Sequence, residues 1–276
     1  MIERTFQLLS GIGPAREKDL WKRGIATWAD FPDAQICMSA KLDPGMREAI
    51  ARARQALEAR DAAALVSMIP SRERWRLFPA FAGDCAYLDI ETDGTSATCE
   101  VTCIGTLFRG EVRAFVNGFN LEAFPEYAKR FGVLVTFNGS CFDVPVLERT
   151  FRGLELPRAH IDLRFTARGA GVEGGLKRIE DGLGLHRPDH LRGVNGFEAV
   201  TLWRDWRDTG SLSALQRLVE YNLYDAIQLK PVLERLYNRQ KDRGLAGAPE
   251  HPETERGDVL FDVSRILERL AERLSA

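Results

Sequence analysis

Between residues 85 and 163, short apolar runs alternate with helical stretches, and this alternation constrains the fold more than any other feature. Cys85 to Ile90 is a compact apolar run that turns acidic at its end. Val101 to Leu107 and Glu111 to Asn117 read as strands joined by a tight turn at Arg109-Gly110, the pattern of a hairpin. Leu121 to Phe131 reads as helix, Val133 to Phe137 as a strand closed by Asn138-Gly139, Val144 to Phe151 as helix, and His160 to Leu163 as a last strand. From Gly175 onward the pattern is helical, over about 176–183, 196–206 and 211–238. Strands separated by helices need crossover connections, which make parallel pairs, whereas the hairpin adds an antiparallel pair. The expected fold class is therefore α/β, with a mixed five-stranded sheet flanked by helices.

Around this domain, expected over 80–240, lie less regular parts. Residues 1–66 read as a small helical region. Leu8, Leu9, Ile12, Leu20, Ile25, Trp28 and Phe31 supply its apolar positions, Pro14 suits a first helical turn, and Gly24 a helix end. Residues 41–66 read as one helix, and 69–79 as a connector carrying Arg72, Arg74 and Arg76. Residues 244–257 read as a polar linker. A last amphipathic helix is expected over 258–276, capped by Asp258, with Val259, Val263, Ile266, Leu267, Leu270 and Leu274 on one face.

Composition narrows the function classes. The 276 residues suit about two domains, or one large domain with an appendage. A net charge of −2 argues against a chain coated in positive charge, and leaves room for a local basic groove. No apolar run is long enough to span a membrane, and the first residues, with Glu3, lack the pattern of a signal peptide. Five sparse cysteines fit reduced thiols, hence a cytoplasmic setting. Cys99 and Cys103 lack the second ligand pair that structural zinc requires.

Three acidic elements point to chemistry. Asp89 and Glu91 flank one residue at a strand end, so both carboxylates share a face. Their repulsion favours a divalent cation between them, and oxygen ligands select magnesium or manganese. A solvated strand end with two incidental acids has the same pattern. Asp143 follows the Val133–Phe137 strand at a helix start, where it projects past the strand ends or simply caps the helix. Tyr221 and Asp225 lie one helical turn apart, either as a phenol beside a metal-binding acid or as an ordinary surface pair. Tyr224 points elsewhere and reads as packing.

Asp89-x-Glu91, Asn138-x-x-x-Phe142-Asp143 and Tyr221-x-x-x-Asp225 together resemble the three motifs of the DEDD superfamily of exonucleases, also called DnaQ-like, with a ribonuclease H-like fold. Tyrosine four before the last acid, with Glu220 at the fifth, resembles the tyrosine subclass. Gly175-Leu176-Lys177, Ile179-Glu180, Leu183-Gly184-Leu185, Arg187, Trp203 and Gly210 resemble the YprB-like branch. The resemblance covers about residues 80–240. It implies a metal-dependent 3′–5′ exonuclease acting on nucleic acid, with single-stranded 3′ ends as substrate. Asp89, Glu91, Asp143 and Asp225 would hold two Mg²⁺ or Mn²⁺ ions, and Tyr221 would orient the attacking water. It also places Thr92 and Asn138 against the nucleic acid. A non-catalytic nucleic-acid-binding or scaffolding protein on the same fold, and an endonuclease using the same site, stay open.

Other residues join this reading. Lys177, at a helix start after two glycines, meets a substrate phosphate or is a solvated lysine. Asp162, two after His160, supports the site from behind or caps a helix. His186, Asp189 and His190 lack a fourth ligand and read as a polar loop. Leu9-x-Gly11-Ile12-Gly13-x-Ala15, with Leu20 and Gly24-Ile25, resembles a helix-hairpin-helix motif over about 6–31. Gly11, Gly13 and Lys18 would meet a phosphate backbone, which leans the substrate modestly toward DNA. The same unit also reads as a helical hairpin that packs on the main domain or binds a protein.

Overall fold

The computed structural model describes residues 1–96, 98–191, 194–244, 248–254 and 261–274. The N-terminal region holds α1 (Pro14–Lys22), α2 (Asp43–Glu58), α3 (Ala62–Met68) and the short α4 (Phe78–Phe81). Pro14 occupies the first turn of α1, and Gly24, at φ 85°, follows its C-cap in the left-handed conformation. The single helix expected over 41–66 is two helices. Arg60 takes φ 54°, and the Asp61 carboxylate caps α3 by accepting from the Ala64 N–H, so the chain stops and restarts there. Alanine-rich periodicity does not reveal a break made by one local cap. The stretch 71–77 forms a 3₁₀ turn whose Arg76 points inward.

The sheet contains β1 (Cys85–Thr92), β2 (Val101–Phe108), β3 (Glu111–Val116), β4 (Val133–Thr136) and β5 (His160–Asp162), in the order β3-β2-β1-β4-β5. β1 pairs antiparallel with β2 and parallel with β4, and β4 pairs parallel with β5. The hairpin turns at Arg109 and Gly110, both at positive φ, which matches the twist of its strands. Because β1, β4 and β5 run parallel, their C-terminal ends share one edge of the sheet. The acidic elements expected from the sequence lie at or just beyond those ends.

Helices α5 (Phe124–Ala128), α6 (Asp143–Thr150), α7 (Leu163–Gly169), α8 (Leu176–Gly182), α9 (Gly196–Thr209), α10 (Leu212–Gly244) and α11 (Val263–Leu274) complete the described elements. α10 lies on β1 and β2 and buries Leu215, Leu218, Val219, Leu223 and Leu229. The helix backbone comes close to the sheet at Gly105. A Cβ there would stand 2.8 Å from Asn222 Oδ1 and 2.9 Å from the Asn222 carbonyl oxygen. Gly105→Ala is expected to cost ~1–3 kcal/mol of stability in chemical denaturation, as overpacking does. An unchanged midpoint would contradict this contact.

Residues 248–254, within the stretch read as a linker, lie along α10. Asn238 Nδ2 donates to the His251 carbonyl, and the Thr254 N–H donates to Glu234. Asp258 and Val259, expected to open the last helix, lie outside the described residues. One apolar cluster runs from Ile2, Phe6 and Trp28 through Leu77 and Phe78 to Tyr87, Leu233 and Tyr237, so the N-terminal region and the sheet share a core.

Candidate active site

Alternation along β1 sends Asp89 and Glu91 to the same face, opposite Gly105 and Cys103 of β2. That face is the one α10 covers. Asp225 reaches it from α10, and one carboxylate oxygen each from Asp89, Glu91 and Asp225 lie within 4.8 Å of one another. Asp143, in the first turn of α6, stands outside that trio but close enough for its charge to act on Asp89 and Glu91. The backbone amide of Ile90, on β1 between the two acids, acts on the Asp143 carboxyl group and draws its pKa down against burial.

The loop carrying Asp143 is held from behind. Asn138 takes φ 62°, and Gly139 turns so closely over Thr136 that no side chain would fit. Asp162, buried at the end of β5, accepts from the N–H groups of Asn138 (2.8 Å), Ser140 (3.1 Å) and Arg164 (3.1 Å). It therefore ties β4, the loop and α7 together. His160 Nε2 lies 2.8 Å from Thr136 Oγ1 on the same side.

Burial and mutual repulsion dominate the electrostatics. Desolvation first, then neighbouring carboxylates, push Asp89 and Glu91 well above the usual carboxylate range. Asp143 is pushed up to about 7, chiefly by burial. Asp225 is raised by burial, against the pull of Arg187 and a hydrogen bond from Tyr221. Tyr221 is nearly buried and pushed well above its ordinary value by burial and by Asp225, so its hydroxyl keeps its proton at neutral pH.

These shifts fix a sign. In metal-free protein, a carboxyl with a raised pKa keeps a proton that the unfolded chain has released, so stability falls as pH rises toward its folded value. For Asp143 the window runs from about 3.8 to about 7. His160, lowered to about 4 by burial, works oppositely, but only below its ordinary value of 6.5. The melting temperature of metal-free protein is expected to fall relative to that of Asp143→Asn between about pH 5 and 7. Parallel curves would refute the assignment.

Three residues without an assigned role also belong to the site. Asn222 Nδ2 donates to the Asp89 carboxylate (2.8 Å) and to the Asp89 carbonyl (3.1 Å). Arg187 is buried beside Glu180, to which Nε and Nη2 donate at 2.6 and 2.9 Å, and its Nη2 also stands 2.5 Å from Asp225. Asn222 left a trace in the sequence: it is a polar residue on the apolar stripe of α10, between Leu218 and Leu229. Arg187 left no periodic trace, because it meets Asp225 from a loop, and Glu180 sits on α8, where it holds Arg187.

The remaining sequence candidates are placed unevenly. Lys177 Nζ lies 5.4 Å from the Tyr221 ring centroid and donates to the Val194 carbonyl. Asn138 lines a groove of about 820 Å³ together with Asp89 and Asp143, and its Oδ1 accepts from Arg164 at 2.6 Å. Thr92 is buried, with its hydroxyl donating to the Gly94 carbonyl, and does not line that groove. Gly11, Gly13 and Lys18 are not buried, sit on the N-terminal unit and do not line it either. His190 pairs with Glu220 at 2.8 Å.

A family model described as RNase_H superfamily matches residues 86–237, more than half of the chain. The chain belongs to the RNase_H superfamily. The sheet order, with its acids at the end of the central strand, is the RNase H-like fold in this chain. The crystal structure of the Aedes aegypti Nibbler EXO domain is similar at a TM-score of 0.35, with 13% sequence identity over 68% of this chain and 85% of that one. No curated protein matches the sequence. RNase H-like membership supports hydrolytic nuclease chemistry in general, and nucleases of this type use divalent metals. The donor set fits such an ion: Asp89, Glu91 and Asp225 offer only oxygen, close together, and repel one another without a cation.

Proposed function

We propose that this RNase H-like protein is a metal-dependent 3′–5′ exonuclease of the DEDD tyrosine type and the YprB-like branch, acting on single-stranded 3′ ends, with DNA modestly favoured. The observation that carries the reading is the meeting of Asp89, Glu91 and Asp225 within 4.8 Å, with Asp143 lining the same groove as Asp89. These four acids would hold two Mg²⁺ or Mn²⁺ ions. Bound divalent ions supply Lewis-acid chemistry, making water nucleophilic near neutral pH and offsetting the charge of the phosphodiester.

The chain's own groups do the rest. Asn222 fixes the Asp89 carboxylate, and Arg187, held by Glu180, fixes that of Asp225. Tyr221 keeps its proton, and its hydroxyl, close enough to Asp225 to act on that carboxylate, would orient the attacking water. Asp162 holds the loop that presents Asp143 and Asn138. Gly11, Gly13 and Lys18 on the N-terminal helix-hairpin-helix-like unit would add a contact to the backbone that reads no bases. The free cysteines, Cys141 among them exposed, support a reducing, cytoplasmic setting. Among the described residues, no helix is long and apolar enough to cross a membrane.

The test is a time course on end-labelled single strands of DNA and RNA, with Mn²⁺ or with EDTA. A metal-dependent ladder shortening from the 3′ end is expected. Internal fragments would indicate an endonuclease, and intact strands with metal bound would indicate a binding protein. Tyr221→Phe is expected to slow turnover by about 10- to 100-fold, with metal affinity by calorimetry nearly unchanged. Loss of metal binding in that variant would contradict the water-orienting role.

A further inference from the structure

We infer that the exposed face of α7 is the path of an unpaired nucleic-acid strand into the carboxylate site, with Phe165 as a base-stacking platform and Arg164 and Arg168 as its phosphate contacts. The inference rests on the nuclease reading above and names the substrate contact within it.

In α7, Leu163, Thr166, Ala167 and Ala170, the residue after it, turn inward, whereas Arg164, Phe165 and Arg168 are exposed. A helix that has satisfied its apolar face has no packing reason to place a phenyl ring outside. Phe165 is 43% exposed and lines the same groove of about 820 Å³ as Asp89 and Asp143. A single exposed aromatic on an open surface means little. This one lies in a concavity continuous with the acids, between two cations one helical turn apart. Arg168 is exposed, and Arg164 spans to Asn138 Oδ1, which leaves other guanidinium donors for an anion. Glu173, beyond the helix, is the acid on this wall.

The combination of an aromatic face and flanking guanidinium groups suits a polyanion with flat apolar units, which is a single strand. A duplex keeps its bases stacked on one another and offers a ring only at its end. Charge also requires this arrangement. The acids repel a phosphate chain, and the arginines on the approach offset that repulsion before the strand reaches them.

The experiment measures binding by fluorescence anisotropy, using full-length protein carrying Asp89→Asn, so that strands are bound and not cut. The probes are labelled 12-nucleotide DNA and RNA single strands and a blunt DNA duplex. Phe165→Ala is expected to weaken single-strand binding by about 5- to 100-fold, with Phe165→Tyr restoring it to within about 3-fold and Phe165→Leu failing to. Arg168→Ala is expected to flatten the slope of log affinity against log salt by about 0.7. Circular dichroism melting confirms that each variant folds. Equal DNA and RNA affinities indicate that stacking and phosphate contacts suffice, and a preference for one shows which strand the path takes. Unchanged binding by Phe165→Ala, full rescue by leucine, or tighter binding of the duplex would overturn the inference. Parallel cleavage assays on the parent protein separate the two readings. Phe165-dependent binding without cleavage overturns the nuclease proposal alone, and cleavage with Phe165-independent binding overturns the stacking platform alone.

Discussion

Asp89→Asn is expected to lower the cleavage rate by about 10³-fold or more, ~4 kcal/mol of barrier, while making metal-free protein more stable. The two effects come from one cause. Asp89 lies in a buried group of carboxylates, raised by desolvation and by Asp225, Glu91 and Asp143. Neutralising it removes repulsion, and the amide keeps the shape of the carboxyl group. A gain of ~1 kcal/mol would raise the melting temperature by about 2–4 °C for a chain of this size. The same change takes an oxygen anion from the ligand set, so the stabilisation that Mn²⁺ gives the parent should shrink. Scanning calorimetry with and without Mn²⁺, beside the cleavage assay, reads all three effects. A variant that cuts as fast as the parent would remove Asp89 from the site, and one that melts lower without metal would show that the cluster is not repulsive.

The second large effect lies far from the carboxylates. Glu17→Ala is expected to destabilise the protein by about 3–5 kcal/mol, the usual loss when one partner of a buried pair is removed. Glu17 on α1 is buried and accepts five hydrogen bonds. They come from Thr5 Oγ1, the Phe6 N–H, Gln7 Nε2, and both Nη atoms of Arg76 at 2.9 Å. Arg76 in turn pairs with Glu73 at 2.8 Å. Deletion of Glu17 leaves Arg76 with Glu73 alone and strands the donors of Thr5, Phe6 and Gln7 in the shared core. Replacing both members, as Glu17→Leu with Arg76→Met, should recover part of the loss, because apolar residues of similar size carry no desolvation cost. Urea denaturation of the three proteins checks this. A loss under about 1 kcal/mol for Glu17→Ala would show that the pair does not clamp α1 to the 71–77 turn.

The site was legible in the sequence wherever a functional residue broke a local pattern. Asp89 and Glu91 interrupt an apolar run, Asp143 follows a strand at a helix start, and Asp225 sits on an amphipathic helix. Each break is local, so spacing exposes it. Asn222 was legible in the same way, as a polar residue on the buried stripe of α10, although only the packing of α10 on β1 shows that it meets Asp89. Arg187 and Glu180 entered only as part of the YprB-like resemblance, with no role attached, and the face of α7 was not legible. Arg187 meets Asp225 across 38 residues of chain and through a loop with no period. Phe165 would pass for core in any reading that assumes apolar residues turn inward. The break at Arg60 and Asp61 was hidden because one capping carboxylate decides it.

The sequence alone determined the kinds of element and their order, because a period of two or of 3.6 is a property of neighbouring residues. It also determined that two acids share one face of β1, since alternation along a strand allows nothing else. Only the tertiary structure decided that β1 is central between β2 and β4. Strand order is set by which apolar faces and backbone edges pair across the chain, and periodicity does not carry that information. From that pairing follow the meeting of Asp225 with Asp89 and Glu91, the counter-charge from Arg187, and the groove that brings Phe165 to the same edge. The docking of the N-terminal unit belongs with these, because the Glu17–Arg76 pair joins residues that nothing in their local sequence connects.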